Sequence, residues 1–196
     1  MNLPNKLSVL RMCLVPVFVV IMVLTVLIPS FDTVGSILGV AVFLIASFTD
    51  MLDGKIARKH GLITDFGKFI DPLADKLMVI GALVVILYKY TAIRHLFVWA
   101  VLVVVFRELA ITGVRLLAAG ANVVIAAKYI GKIKTVSQMV CVSTVILEPL
   151  LARIPFLSFL GYLPLTYLST AVMLIFTLWS GIDYMICYRE FLDPTK

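Results

Sequence analysis

With 62% hydrophobic residues, 14% charged residues and a mean hydropathy of +1.12, this chain of 196 residues carries more apolar surface than a soluble domain of its size can bury. That leaves an integral membrane protein as the class. The formal charge of +6 would point to nucleic acid in a soluble protein, but here it reads as a basic face meeting anionic lipid head groups, with no nucleic-acid partner.

In chain order, residues 1–11 (MNLPNKLSVLR) read as a short polar segment lying in the membrane interface before the first span. That span is expected from about Met12 to Ile28, and Pro29, Ser30 and Asp32 mark a tight link after it. The long apolar run, with no small-x-small site behind it and more spans following, is not expected to be a cleaved signal. A second helix is expected over about Val34–Arg58, with Gly35 and Gly39 at the spacing that permits close helix packing. The polar link His60–Gly67 leads to a third helix over about Lys68–Tyr88, with Pro72 near its start, where a missing N–H is harmless. Residues 89–95 form the next link. The fourth helix, about Leu96–Ala119, carries Arg107, Glu108 and Arg115. After a turn at Gly120–Asn122 comes a fifth helix over roughly Ala126–Leu147. Residues 148–164 are apolar for a link and are expected to lie along the membrane surface, before a last span over about Leu165–Cys187. The three cysteines, Cys13, Cys141 and Cys187, are scattered in apolar surroundings and read as buried free thiols. The sum is an all-α integral membrane protein: one domain over 1–196, a bundle of six transmembrane helices.

An even number of spans puts both termini on one side. All but three of the 17 Lys and Arg residues (Lys89, Arg94 and Arg153) fall on that side, which is therefore expected to be cytoplasmic.

The sharpest feature is the stretch DMLDGKIARKHGLITDFGKFIDPLAD, residues 50–75. Its intervals of three and four residues set Asp50 with Asp53, and Asp71 with Asp75, on single helix faces. If the two helices pack side by side, four carboxylates converge, and oxygen-only ligands favour hard divalent ions such as Mg²⁺, Mn²⁺ or Ca²⁺. The strictly apolar stretches flanking the motif, Ile37–Phe48 and Leu77–Leu87, each span under ~20 Å of a hydrocarbon core ~30 Å thick. The aspartates are therefore expected below the head groups, in a polar cavity open to the cytoplasm. The competing reading is an ion pathway, or pairing with Lys55, Arg58, Lys68 and Lys76. It accounts for neither Gly54 and Gly67 nor Ala57, small residues that let a flat ligand approach the backbone.

The spacing D-x2-D-G-x2-A-R-x8-G-x3-D-x3-D is met in full by Asp50, Asp53, Gly54, Ala57, Arg58, Gly67, Asp71 and Asp75. It resembles the CDP-alcohol phosphotransferases, six-helix membrane enzymes of phospholipid synthesis. The resemblance implies that Gly54, Ala57 and Gly67 make room for the cytidine nucleotide of a CDP-lipid and that Arg58 contacts its diphosphate. It also implies that Asp50, Asp53, Asp71 and Asp75 hold a divalent metal, Mg²⁺ or Mn²⁺, as two ions. Asp75 would double as the general base, and the enzyme would be a homodimer. Spacing alone does not separate the base from a pure ligand.

Arg107 and Arg115 in the fourth helix, and Lys132 and Lys134 in GKIKTVSQ, supply positive charge that suits a phosphate on the acceptor alcohol. Plain anchoring of a basic face is the alternative for the lysines, and Glu108 could pair one arginine. NLPNKLSVLR at the start, REL in the fourth helix and GKIKT in the fifth look like the phosphatidylglycerophosphate-forming branch of the family in bacteria. That likeness implies CDP-diacylglycerol and sn-glycerol 3-phosphate as substrates. Asn5 and Arg11 would close the site's mouth or anchor the surface. Rival readings are another acceptor (inositol phosphate, glycerol or serine), a cation-coupled transporter, or an inactive lipid-binding scaffold. His60 and His95 read as solvent-exposed, and Asp183 as the partner of a neighbouring arginine.

Overall fold

In the computed structural model, prolines mark the edges of two of the links between long helices, at Pro29 and over Pro155–Pro164. The structure describes residues 3–60, 65–120, 123 and 128–189, with side chains for all of these except 3, 4, 50–60, 65–69, 71, 72, 75 and 119. Six long helices follow one another: α1 Leu3–Leu27, α2 Asp32–His60, α3 Asp65–Lys89, α4 Arg94–Gly120, α5 Tyr129–Leu151 and α6 Pro164–Cys187. Single 3₁₀ turns at Pro29–Phe31 and Thr91–Ile93, and a longer one over Pro155–Tyr162, join them where the chain reverses. No strand occurs among the described residues, and the chain is all-α. Apolar stretches long enough to cross a membrane occur within Asn5–Leu27, Pro29–Thr49, Thr91–Ala118, Tyr129–Leu151 and Pro164–Cys187. The side chains toward lipid are those of a membrane protein: Phe106 is 75% exposed, and Trp99 and Trp179 lie open on the same apolar surface.

Three boundaries differ from expectation. α1 begins at Leu3, not near Met12, and Asn5, Ser8 and Arg11 face inward as buried residues. Surface anchoring by Asn5 and Arg11 is thereby excluded. α3 begins at Asp65, so Pro72 falls beyond the first turn. α5 runs on to Leu151 through Pro149, four residues further than the apolar pattern implied. The thiols need a correction as well: Cys141 is buried, but Cys13 and Cys187 are exposed, because lipid solvates an apolar thiol as readily as the protein interior does.

α1 lies along both α2 and α3, which touch each other only slightly; α5 packs along α6, and α6 along α4. The glycines explain the tightest of these contacts. A Cβ at Gly35 would come within 2.5 Å of Thr25 and 2.6 Å of the Phe31 ring, and one at Gly39 within 2.6 Å of the Met22 sulfur. The core they close around contains Phe18, Met22, Phe43, Leu83, Phe97 and Met173.

The bundle has a motif end, where α2 finishes and α3 begins, and a far end. The far end is clasped by Asp32, which accepts a 2.7 Å bond from Lys89 and another from Arg153, joining α2 to α3 and to the chain beyond α5. Lys89 also donates to Ser36 and Arg153 to Thr33, each at 2.6 Å. The fully buried Glu148 accepts the backbone N–H groups of Leu165 (2.8 Å) and Thr166 (2.5 Å), capping α6 from another helix.

Gly35→Ala is expected to lower stability in detergent by about 1–3 kcal/mol, because ring and helix must shift against it. Gly39→Ala meets only a flexible thioether and gains ~1 kcal/mol of helix propensity, so it should be near neutral. Thermal unfolding of the two variants checks that order.

Candidate functional site

A bundle that buries charge must pair it, and at the motif end Glu108, Lys134 and Arg107 are paired between α4 and α5. Glu108 on α4 is the centre. One of its oxygens accepts from Lys134 on α5 and, at 3.3 Å, from its neighbour Arg107. Lys134 is 5% exposed and Glu108 9%, so this is a desolvated triad and not a surface pair. Arg107 reaches on to α6, donating to Ser180 at 3.0 Å. Gly181 makes room for it: a Cβ there would stand 3.2 Å from the arginine's Cγ.

One layer nearer the motif end, Tyr184 on α6 is 1% exposed and surrounded by cations. Its hydroxyl accepts from the backbone N–H of Lys128 at 2.9 Å and from Arg115 at 3.3 Å. Its ring lies 5.5 Å from the Arg115 guanidinium, 5.9 Å from that of Arg107 and 5.8 Å from the Lys128 ammonium. Lys128 pairs with Asp183 at 2.8 Å, and that carboxylate holds its ammonium above the ordinary lysine range. Asp183 therefore takes a lysine, not the expected arginine, because the chain leading into α5 lays Lys128 beside α6.

One layer further in, several polar atoms have no protein partner. They are both amide atoms of Gln138, the Thr177 hydroxyl and Nε of Arg107; Gln138 and Thr177 are completely buried. Such a group costs about 1–3 kcal/mol unless something pairs with it.

Of the basic residues read from the sequence, Arg107, Arg115 and Lys134 join this column, whereas Lys132 points away from it and is exposed. Sequence reasoning missed Tyr184, Ser180, Gly181 and Gln138. Of these, only Gln138 left a signal, standing one helical turn after Lys134 in GKIKTVSQ.

The aspartate motif is met through its backbone. Asp50, Asp53, Gly54, Ala57 and Arg58 fall on the last turns of α2, and Gly67, Asp71 and Asp75 on the first turns of α3, while all their side chains lie outside the described residues. The two helices meet at Ser47 and Met78, whose Oγ and Sδ are 3.8 Å apart. Asp50 is three residues beyond Ser47 and Asp75 three before Met78, so one turn past that contact both chains reach the motif. Among the described residues no three His, Cys, Asp or Glu side chains group as metal ligands. A donor set of four carboxylates from two helices has the hard-oxygen chemistry that suits a divalent ion. His95 is exposed, as expected, and the side chain of His60 lies outside the described residues.

The chain resembles proteins of established naming over nearly its full length. The family model described as CDP-alcohol phosphatidyltransferase matches residues 1–180. A *Bacillus subtilis* protein named CDP-diacylglycerol–glycerol-3-phosphate 3-phosphatidyltransferase is 42% identical, over 93% of each chain. Proteins of the same name from *Rickettsia bellii* (36% identical, over 82% of this chain and 83% of the relative) and *Shigella flexneri* (31%, over 98% of each) are also similar.

Glu108→Gln is expected to destabilise the fold by about 3 kcal/mol, since two buried cations lose their shared carboxylate. Adding Lys134→Met should recover part of that loss. Unfolding of the two single variants and the double variant in detergent measures the coupling.

Proposed function

We propose that this chain, which belongs to the CDP-alcohol phosphatidyltransferase family, transfers the phosphatidyl group of CDP-diacylglycerol to sn-glycerol 3-phosphate and releases CMP. The observation that carries the acceptor is the cationic column: Arg107, Lys134 and Arg115 stand together with Glu108 as the carboxylate contacting the first two. The surplus positive charge suits a phosphomonoester; neutral glycerol offers no charge to pair with it, and the carboxylate of serine comes with an ammonium that the same cations repel. The names carried by the relatives from *B. subtilis* and *R. bellii* support the same choice.

In this reading Arg107, Arg115 and Lys134 hold the acceptor's phosphate, with Lys132 on the exposed approach. Gly54, Ala57 and Gly67 leave space for the cytidine, and Arg58 meets the diphosphate. Asp50, Asp53, Asp71 and Asp75 would hold two divalent ions, Mg²⁺ or Mn²⁺, which supply charge neutralisation for the diphosphate and for the departing CMP oxygen. The Asp75 carboxylate takes the acceptor hydroxyl's proton as that oxygen bonds to the phosphorus bearing diacylglycerol. The bond from this phosphorus to the bridging oxygen breaks, and CMP leaves with the electron pair. The protein crosses the cell membrane six times, with both termini and the site on the cytoplasmic side, where the basic residues gather. It works as a homodimer.

CMP release by purified protein, with CDP-diacylglycerol and Mg²⁺ or Mn²⁺, tests the proposal. Release is expected with glycerol 3-phosphate, is lost on EDTA treatment and returns with the metal. Asp75→Asn should reduce it at least ~10²-fold. Release with inositol phosphate or serine instead would overturn the acceptor, and cation flux in liposomes without CMP would replace the enzyme by a transporter.

Arg115→Met should raise KM for glycerol 3-phosphate about tenfold or more while kcat changes little, as the loss of a charged hydrogen bond to a bound phosphate predicts. Initial rates across acceptor concentrations check it.

A further inference from the structure

Gln138 sits where a core residue should be apolar. Two contacts fix its level in the bundle: Lys134 with Glu108 registers α5 against α4, and Arg107 with Ser180 registers α4 against α6. One turn from Lys134 along α5 is Gln138, and one turn back from Ser180 along α6 is Thr177. α5 and α6 run in opposite directions, so both steps lead away from the motif end; the pairing of Lys128 with Asp183 and of Cys141 with Thr170 sets Thr177 near the level of Lys134 and Gln138 about one turn deeper. Beyond it, Cys141 and Thr170 close α5 onto α6 at 3.6 Å. Gln138 and Thr177 are both 0% exposed, and neither the Gln138 amide nor the Thr177 hydroxyl has a protein partner. Buried amides are ordinarily satisfied, so this one is built for a group the protein itself does not provide.

The chemistry narrows what that group is. The amide offers an N–H donor and a carbonyl acceptor side by side, which is the complement of a hydroxyl that both accepts and donates. It carries no charge, so the anionic end of a ligand belongs on the neighbouring Arg107 and Lys134. One helical turn, about 5.4 Å, is of the order of the distance from a phosphate to the hydroxyl on the next carbon of a glycerol chain.

We propose that Gln138 is the specificity-determining group that binds the secondary hydroxyl of the phosphorylated acceptor, one turn deeper than the level of Lys134 and Thr177. The assignment rests on the acceptor reading given above. It makes the enzyme demand a vicinal hydroxyl as well as a phosphate.

The test compares glycerol 3-phosphate with 3-hydroxypropyl phosphate, which keeps the phosphate and the primary hydroxyl but lacks the secondary one. Wild-type protein is expected to favour glycerol 3-phosphate in kcat/KM by about ten- to a hundredfold, because a buried amide left unpaired rejects the analogue. In Gln138→Met, which keeps the length of the side chain, that ratio should collapse to within about threefold through loss of the natural acceptor alone, with an unchanged or raised thermal midpoint. Gln138→Leu, which also removes the amide, should lower the ratio in the same way and decides the matter if Gln138→Met does not fold. A wild-type enzyme without preference, a ratio unchanged in both variants, or an equal fall with both acceptors overturns the assignment. An unchanged ratio with a lowered midpoint would instead make Gln138 the holder of an internal water. Absence of CMP release by wild-type protein with glycerol 3-phosphate would sink the acceptor reading itself, an outcome separate from any of these.

Discussion

Two cations sharing one carboxylate oxygen inside an apolar bundle constrain the rest of this molecule. Desolvating Glu108, Lys134 and Arg107 is expensive, and their mutual contact offsets much of it, so α4 and α5 are held to one register. Arg107 extends the constraint to α6 through Ser180. Asp32 repeats the device at the far end: one carboxylate receives Lys89 and Arg153 and ties α2, α3 and the segment after α5 together. The helices that carry the aspartates are thus fixed at the end remote from them, and the helices that carry the cations are fixed at the motif end. Between helices of equal greasiness, where burial from lipid gains little, such polar ties and the close approach at Gly35 and Gly39 set the packing.

Much of this was legible in the sequence. Runs of apolar residues broken by Pro29 and by Lys89–His95 locate two links, the link expected over 148–164 is shortened by α5 continuing to Leu151, and the aspartate spacing locates the two helices of the motif. The failures share a cause. Average polarity made residues 1–11 look like a segment outside the bundle, yet Asn5, Ser8 and Arg11 recur every three residues and form one buried helical face. A membrane bundle inverts the usual inference: the polar stripe turns inward, and cysteines or phenylalanines turn out to lipid. Cys13 and Cys187 were misplaced for the same reason. The pairing of Asp183 with Lys128 was beyond reach, since 55 positions separate them and only the return of α6 past the start of α5 brings them together.

Tyr184 shows why a cationic site needs more than cations. A carboxylate placed among Arg107, Arg115 and Lys128 would hold them, and would also cancel the charge an anionic ligand requires. An aromatic face attracts the same cations through its quadrupole and leaves their net charge intact. The hydroxyl adds a directional bond to Arg115 and one to the Lys128 backbone, so the ring is oriented as well as buried. Glu108 and Asp183 each neutralise part of the surrounding charge, while among the described residues Arg115 bonds to the uncharged phenol. Among the described residues, the least neutralised of these cations is therefore Arg115, toward the end of the bundle where the aspartate-bearing turns of α2 and α3 lie. In the proposed reading, a ligand with an anionic acceptor end and a metal-bound diphosphate would join this cationic column to the aspartate-bearing turns.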